Sequence, residues 1–299
     1  VIPAIYTPEL VKELRDQLQK AEAPISPLVG KQNRTSQEDL YVQRIRFMRS
    51  SYDVLDGYTQ MIQAANTEVD YPAAVKQGER GLAAREQLTS QNDVLTTYKR
   101  IGEQGSAWWP GEVEQYRKLA KLTNCEAGTL VLKTPLEWLF RADSQNVGPD
   151  QKWASASIQP PVKKEGIARW QDVQSQVGNW QWLRTDRYLQ AQGVVASDHQ
   201  SYTGHAWYRT EIDVPADKAG GKLQLMFPGL FNECWLYING ELVAHRDNYN
   251  PVWWYNAYEF EWDVPVAGKL KAGTNTIALR IHNPHHMGGM FRRPFLYSK

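Results

Sequence analysis

The sequence predicts two structural classes in one chain, a helical bundle over residues 1–127 and a β-sandwich over 128–299. Three observations carry this. None of the 12 tryptophans lies before Trp108, and ten fall between Trp138 and Trp262. All six histidines lie beyond residue 190. At Gly128 the hydrophobic period changes from that of a helix to the alternation of a strand. A length of 299 residues also suits two cores better than one, and two rigidly packed domains are expected.

The helices follow from caps and stripes. Thr7 is an N-cap, Pro8 sits at the first helical position, and Leu10, Val11, Leu14, Leu18 and Ala21 form one stripe that Pro24 and Pro27 end. Thr35-Ser36 starts a second helix carrying Tyr41, Ile45, Met48, Tyr52, Leu55 and Ile62, the period of a helix packed along its length. A third begins near Pro72 and runs through Leu82, Leu88, Leu95 and Tyr98 to Gly102. Its Gly78 and Gly81 weaken it and imply a close helix crossing. Pro110 opens a shorter helix with Val113, Tyr116 and Ala120, and Trp108-Trp109 packs its start or the domain junction. Four helices with short links make a bundle. Nothing in it looks catalytic.

Strands are expected at Thr129–Lys133, Glu137–Arg141, His205–Val214, Leu223–Phe227, Cys234–Asn239, Tyr258–Val264 and Asn275–His282. Turn clusters separate them, and Asn239-Gly240 marks a hairpin because both central residues must take positive φ. Short strands with regular turns indicate a sandwich. Residues 147–195, with Pro160-Pro161 and several glycines, suggest long loops over the sheet.

Composition excludes several functions. With 34 Lys+Arg against 33 Asp+Glu, the chain has no basic excess for a nucleic acid or an anionic membrane. No apolar run approaches the roughly 20 residues of a membrane span, and no signal segment opens the chain. It starts Val1-Ile2-Pro3 without Met, which implies a processed or trimmed N-terminus. Cys125 and Cys234 are too few for a disulfide framework or a four-ligand zinc site, although one bridge between them is compatible with the sequence. Phosphate-binding, nucleophile-elbow, zinc-protease and calcium-loop patterns are missing. Asn33-Arg34-Thr35 is a glycosylation sequon, relevant only to a eukaryotic secretory route.

The C-terminal motifs carry a resemblance. Trp138-x-Phe140-x-x-Asp143, Trp153, Trp170-x-x-Val173 and Trp180 resemble the opening of the non-catalytic N-terminal sandwich of family 2 glycoside hydrolases. Gly204-His205-Ala206-Trp207-Tyr208-Arg209, then Ile212-x-Val214-Pro215, resembles that family's next strand, and Leu236-Tyr237-Ile238-Asn239-Gly240 its hairpin. Phe260-x-Trp262-Asp263-Val264, Leu270-x-x-Gly273-x-Asn275-x-Ile277, Arg280-x-x-Asn283 and Gly288-Gly289 are similar to its closing strands. The resemblance covers roughly residues 130–299 and implies a galactose-binding-like jelly roll. Tyr41-x-x-Arg44-Ile45-x-Phe47 resembles the helices after a catalytic barrel in bacterial carbohydrate enzymes.

Together these imply the non-catalytic C-terminal region of a polysaccharide-degrading glycoside hydrolase. Its expected partners are a glycan and an upstream catalytic domain of the same polypeptide, and its expected location is secreted or periplasmic. No cofactor is expected. Calcium occurs in that fold class, but no residue here demands it. The alternative is a purely structural module that braces an absent catalytic domain, since fold alone does not assign function.

The candidate sugar contacts lie in Arg246–Asn256. Trp253, Trp254 and Tyr255 are adjacent, so they cannot all enter one sheet core, and Arg246, Asn248 and Asn256 supply polar partners. A pyranose C–H face packs on an aromatic ring while amides and guanidinium meet its hydroxyls. The same aromatics could instead dock on the helical bundle or an absent domain. By the family topology, His285, His286 and Arg292 line the same end of the sandwich. A metal site at His282, His285 and His286 is disfavoured because no carboxylate lies nearby in sequence. Glu259, Glu261 and Asp263 alternate along one strand face, and such a face is ordinarily only solvated. Cys234 reads as a small core residue whose neighbours, Glu233 and Trp235, are not basic. Trp138, Trp170 and Trp207 read as framework.

Overall fold

The computed structural model describes residues 5–92, 108–163, 178–196, 200–247, 260–284 and 287–299. Helices come first and antiparallel sheets after them. The chain forms two compact units, Val1–Ala65 with Asp70–Arg117, and Asn66–Val69 with Lys118–Lys299. The division falls at 117/118 rather than 127/128, and Asn66–Val69 belongs with the sheets. Hydrogen bonds explain that placement. Asn66 Nδ2 donates to Phe291 O at 3.2 Å, Arg293 Nη1 donates to Thr67 O at 2.9 Å, and Thr67 Oγ1 donates to Asp186 at 2.6 Å.

Four helices of more than one turn are described: α1 (Pro8–Glu22), α2 (Ser36–Ile62), α3 (Tyr71–Gln91) and α4 (Trp108–Thr123). Thr7 caps α1, and Thr35 with Glu38 closes a capping box on α2. A short 3-10 turn and one helical turn follow α1, so Pro24 and Pro27 interrupt the chain where expected. α3 is described to Gln91, and Leu95, Tyr98 and Gly102 lie outside the described residues.

The α2 stripe differs from expectation. Tyr41 and Met48 are 46% and 56% exposed, whereas Val42, Ser50, Gly57, Met61 and Ile62 are buried. Small residues do the packing. A Cβ on Gly57 would stand 2.5 Å from Gly81 Cα, and one on Gly78 would meet Val113 and Met61. Trp109 lies within the first unit, beside Gly81 and edge-on to Tyr58 at 5.0 Å. No helix among the described residues is long and apolar enough to cross a membrane.

In the second unit a four-stranded sheet has the order β1-β12-β5-β9, built from Thr129–Lys133, Phe295–Ser298, Leu223–Phe227 and Trp262–Pro265. A six-stranded sheet has the order β3-β2-β4-β10-β7-β8. Its strands are Gln181–Arg184, Glu137–Asp143, Gly204–Val214, Gly273–Asn283, Glu233–Ile238 and Glu241–Arg246. A short ribbon pairs β11 (Met290–Arg292) with β6 (Gly229–Leu230). The core includes Phe140, Tyr208, Leu236 and Leu279 from one sheet and Leu225, Val264 and Leu296 from the other, which is the arrangement of a sandwich. Asn239 and Gly240 take φ of 51° and 86° at the expected hairpin.

Candidate functional site

Strand alternation and register set the outer face of the six-stranded sheet. Ile277, Leu279 and Ile281 point into the core, so Ala278, Arg280 and His282 point outward. Register then aligns Arg141, Trp207, Arg280, Trp235 and His245 in one row across β2, β4, β10, β7 and β8. Asp143, His205, His282 and Glu233 form the next row.

Asp143, 2% exposed, folds the following chain back over this face. Its carboxylate accepts hydrogen bonds from Val147 N at 2.8 Å, Gly148 N at 2.9 Å and Trp207 Nε1 at 3.0 Å. Only glycine fits at 148, because a Cβ there would stand 2.3 Å from Trp207 Nε1. Arg209 secures the far end, donating to Trp153 O at 3.1 Å and to Ala156 O.

Between this stretch and the sheet lies a cleft of about 350 Å³, lined by Arg141, Gln151, Trp153, Ala156, Ser157, Ile158, Gln159 and Trp180. That volume is at the lower end of the range for small-molecule sites, about 300–1,000 Å³. Trp153 and Trp180 meet edge to face at 5.7 Å, and the Arg141 guanidinium lies 4.1 Å from the Trp153 ring centroid. Trp153 is 5% exposed and supports the Arg141 guanidinium, whereas the half-buried Trp180 beside amide, hydroxyl and guanidinium groups offers both kinds of contact that a sugar ring uses.

A second group lies toward the β8 edge. Glu233 is 3.2 Å from His245 Nε2 and 3.2 Å from His282 Nδ1, and His245 Nδ1 is 3.5 Å from Asp247. Trp235 stacks on His245 at 4.7 Å, and the Arg280 guanidinium lies 4.0 Å from the Trp235 centroid. Sequence proximity offered His282 no carboxylate, but β-pairing places Glu233 directly opposite it. Glu233, His245 and Asp247 bring ligand atoms within 4.8 Å of one another. Yet His245 meets the two carboxylates with opposite ring nitrogens, so one cation would use only one side. Burial first, then Arg280 and His282, holds His205 down at about 4.

The expected sugar contacts are only partly within the described residues. Asn248, Trp253, Trp254, Tyr255, Asn256, His285 and His286 lie outside them, as does Trp170. Arg246 is half-buried and donates to Asn232 O at 2.9 and 2.7 Å and to Leu230 O at 2.6 Å. Its donors therefore hold main-chain carbonyls. Arg292, expected in a sugar-lining loop, is instead on β11 opposite Gly229, is 1% exposed and donates to Pro228 O. Trp138 and Trp207 are buried as framework. Asp263 accepts from Tyr297 Oη at 2.7 Å, and no carboxylate lines the cleft among the described residues. Both cysteines are free, Cys125 exposed and Cys234 buried. Arg246 comes within 3.5 Å of the Cys234 thiol, but burial prevails and pushes it up to about 11.

Sequence reasoning missed the cleft residues Arg141, Gln151, Ser157 and Gln159 and treated Trp153 and Trp180 only as family markers. The available signal was tryptophan and amide density in a segment already expected to cross the sheet.

No protein-family model matches the chain. Among solved structures it is similar to the apo β-glucuronidase from Ruminococcus gnavus, at 14% identity and a TM-score of 0.43, over 56% of this chain and 28% of that one. It is also similar to that enzyme in complex with D-glucaro-d-lactam, at 14% identity and a TM-score of 0.41, over 54% of this chain and 28% of that one. The complex with uronic isofagomine gives 14% identity and a TM-score of 0.42, over 56% and 28%. The chain thus spans just over a quarter of these glycoside hydrolase chains.

Proposed function

We propose that this chain is a non-catalytic region of a polysaccharide-degrading glycoside hydrolase whose galactose-binding-like sandwich binds carbohydrate. The cleft under residues 151–159 is the observation that carries this reading, because it combines the half-buried Trp180 with hydrogen-bonding side chains. The motif resemblance to family 2 glycoside hydrolases supports the parent enzyme. An upstream catalytic domain and a secreted or periplasmic location belong to the same proposal. Trp253, Trp254 and Tyr255, with Asn248 and Asn256, are retained as a second contact set on their chemistry alone.

One observation favours the alternative of a structural brace. Arg246 and Arg292 donate to the main-chain carbonyls of Leu230, Asn232 and Pro228 and so hold the chain around β6. A glycan array probed with the whole chain and with Trp180→Ala, Trp253→Ala and Trp254→Ala separates the two. Binding lost in Trp180→Ala assigns the cleft, and binding lost in the other two assigns the loop. No binding by the folded wild-type chain across a broad array would leave the brace.

A further inference from the structure

Three arginines project from the outer face, Arg141 on β2, Arg209 on β4 and Arg280 on β10, and none pairs with a carboxylate within 4.0 Å among the described residues. Arg209 is committed to the carbonyls of Trp153 and Ala156. Arg280 donates to Asn146 Oδ1 at 2.6 Å and faces His205 Nδ1 at 3.3 Å. Arg141 is different. It lines the cleft, stacks on Trp153 and makes no hydrogen bond or ion pair among the described residues.

Among the described residues the neighbouring carboxylates are already engaged. Asp143 accepts from two main-chain amides and Trp207, Glu137 pairs with Lys163, and Glu233 lies between two histidines. A half-buried guanidinium without a counter-charge is costly, and a planar fork of donors is matched by a carboxylate or a sulfate. A neutral hydroxyl satisfies one donor but leaves the charge.

We infer that the cleft takes an anionic saccharide bearing a carboxylate or a sulfate, with Arg141, backed by the buried Trp153, receiving the charged group and Trp180 the ring. This rests on the carbohydrate reading of the same cleft.

Calorimetric titration of the whole chain tests it with three probes: a hexuronic-acid oligosaccharide, its carboxyl-reduced neutral counterpart and a sulfated oligosaccharide. At least one anionic probe is expected to bind about tenfold or more tighter than the neutral one. Which one does so identifies the charged group. That preference disappears in Arg141→Gln and is partly kept in Arg141→Lys. Independently of any variant, wild-type affinity for the anionic probe falls between ~50 and ~500 mM salt while any neutral binding holds. Equal binding of charged and neutral probes that Trp180→Ala abolishes would overturn the inference and leave the carbohydrate reading intact. A charge preference that survives Arg141→Gln would also overturn it. Failure of every probe with folded wild-type chain would remove both.

Discussion

Asp143→Asn should open the outer face of the six-stranded sheet while sparing the core beneath it. The carboxylate receives three N–H donors, from Val147, Gly148 and Trp207. In its better orientation the asparagine oxygen keeps Gly148 and Trp207, and its NH₂ is forced against the Val147 amide. One charge-assisted hydrogen bond, about 1.5–3 kcal/mol, is lost, and two others fall to roughly half strength. Relief from burying a charge offsets part of this, which leaves a net cost of about 2–4 kcal/mol. For a unit of this size that lowers Tm by about 4–16 °C. Calorimetry of the whole chain reads the shift, and near-UV circular dichroism reads the loosening of Trp153 and Trp207. Asp150→Asn, at an exposed position, is the control. A Tm change no larger than the control's would refute the claim that Asp143 folds this stretch onto the sheet.

Three further predictions follow from individual environments. Gly57→Ala places a methyl against the Gly81 backbone, which cannot yield, so the helical unit should lose about 1–3 kcal/mol, read by urea unfolding at 222 nm. His205 is held at about 4 against an ordinary 6.5, so the folded state binds its proton more weakly than the unfolded chain does. Its contribution to stability is complete above about 6.5 and is lost as pH falls toward 4, and His205→Gln should flatten urea midpoints across that window. A thiol reagent should label exposed Cys125 in the native chain and reach buried Cys234 only after denaturation; rapid native labelling of both would contradict the packing.

Local signals in the sequence located elements well where one segment settles its own structure. The Thr35–Glu38 capping box, Pro8 at a helix start and the Asn239-Gly240 hairpin are of this kind. Readings failed where a partner distant in sequence decides. Large apolar residues drew attention to Tyr41 and Met48, whereas α2 packs through Gly57 because α3 brings Gly81 against it. Strands β3, β6, β11 and β12 are too short to show a period, β12 is buried along Phe295-Leu296-Tyr297 without alternation, and β8 is implied only as the second arm of the Asn239-Gly240 hairpin. The cleft was illegible for the same reason. Arg141 meets Trp153 only after Asp143 turns the chain, and Glu233 meets His282 only through sheet register.

The contrast between the sheet's two faces bears on binder against brace. Inside, Ile277, Leu279 and Ile281 satisfy every local expectation of a core. Outside, the chain uses a buried carboxylate, a glycine with no room for a side chain and a committed arginine, Arg209, to hold Trp153 beside a second cationic group, Arg141. Arg141 makes no hydrogen bond or ion pair among the described residues, and a half-buried charge in that state costs stability. Departures from local consistency concentrate where function requires them. The charge at Arg141, paired with no carboxylate among the described residues, is such a departure, and the Arg141→Gln titration decides whether a ligand or a braced neighbour answers it.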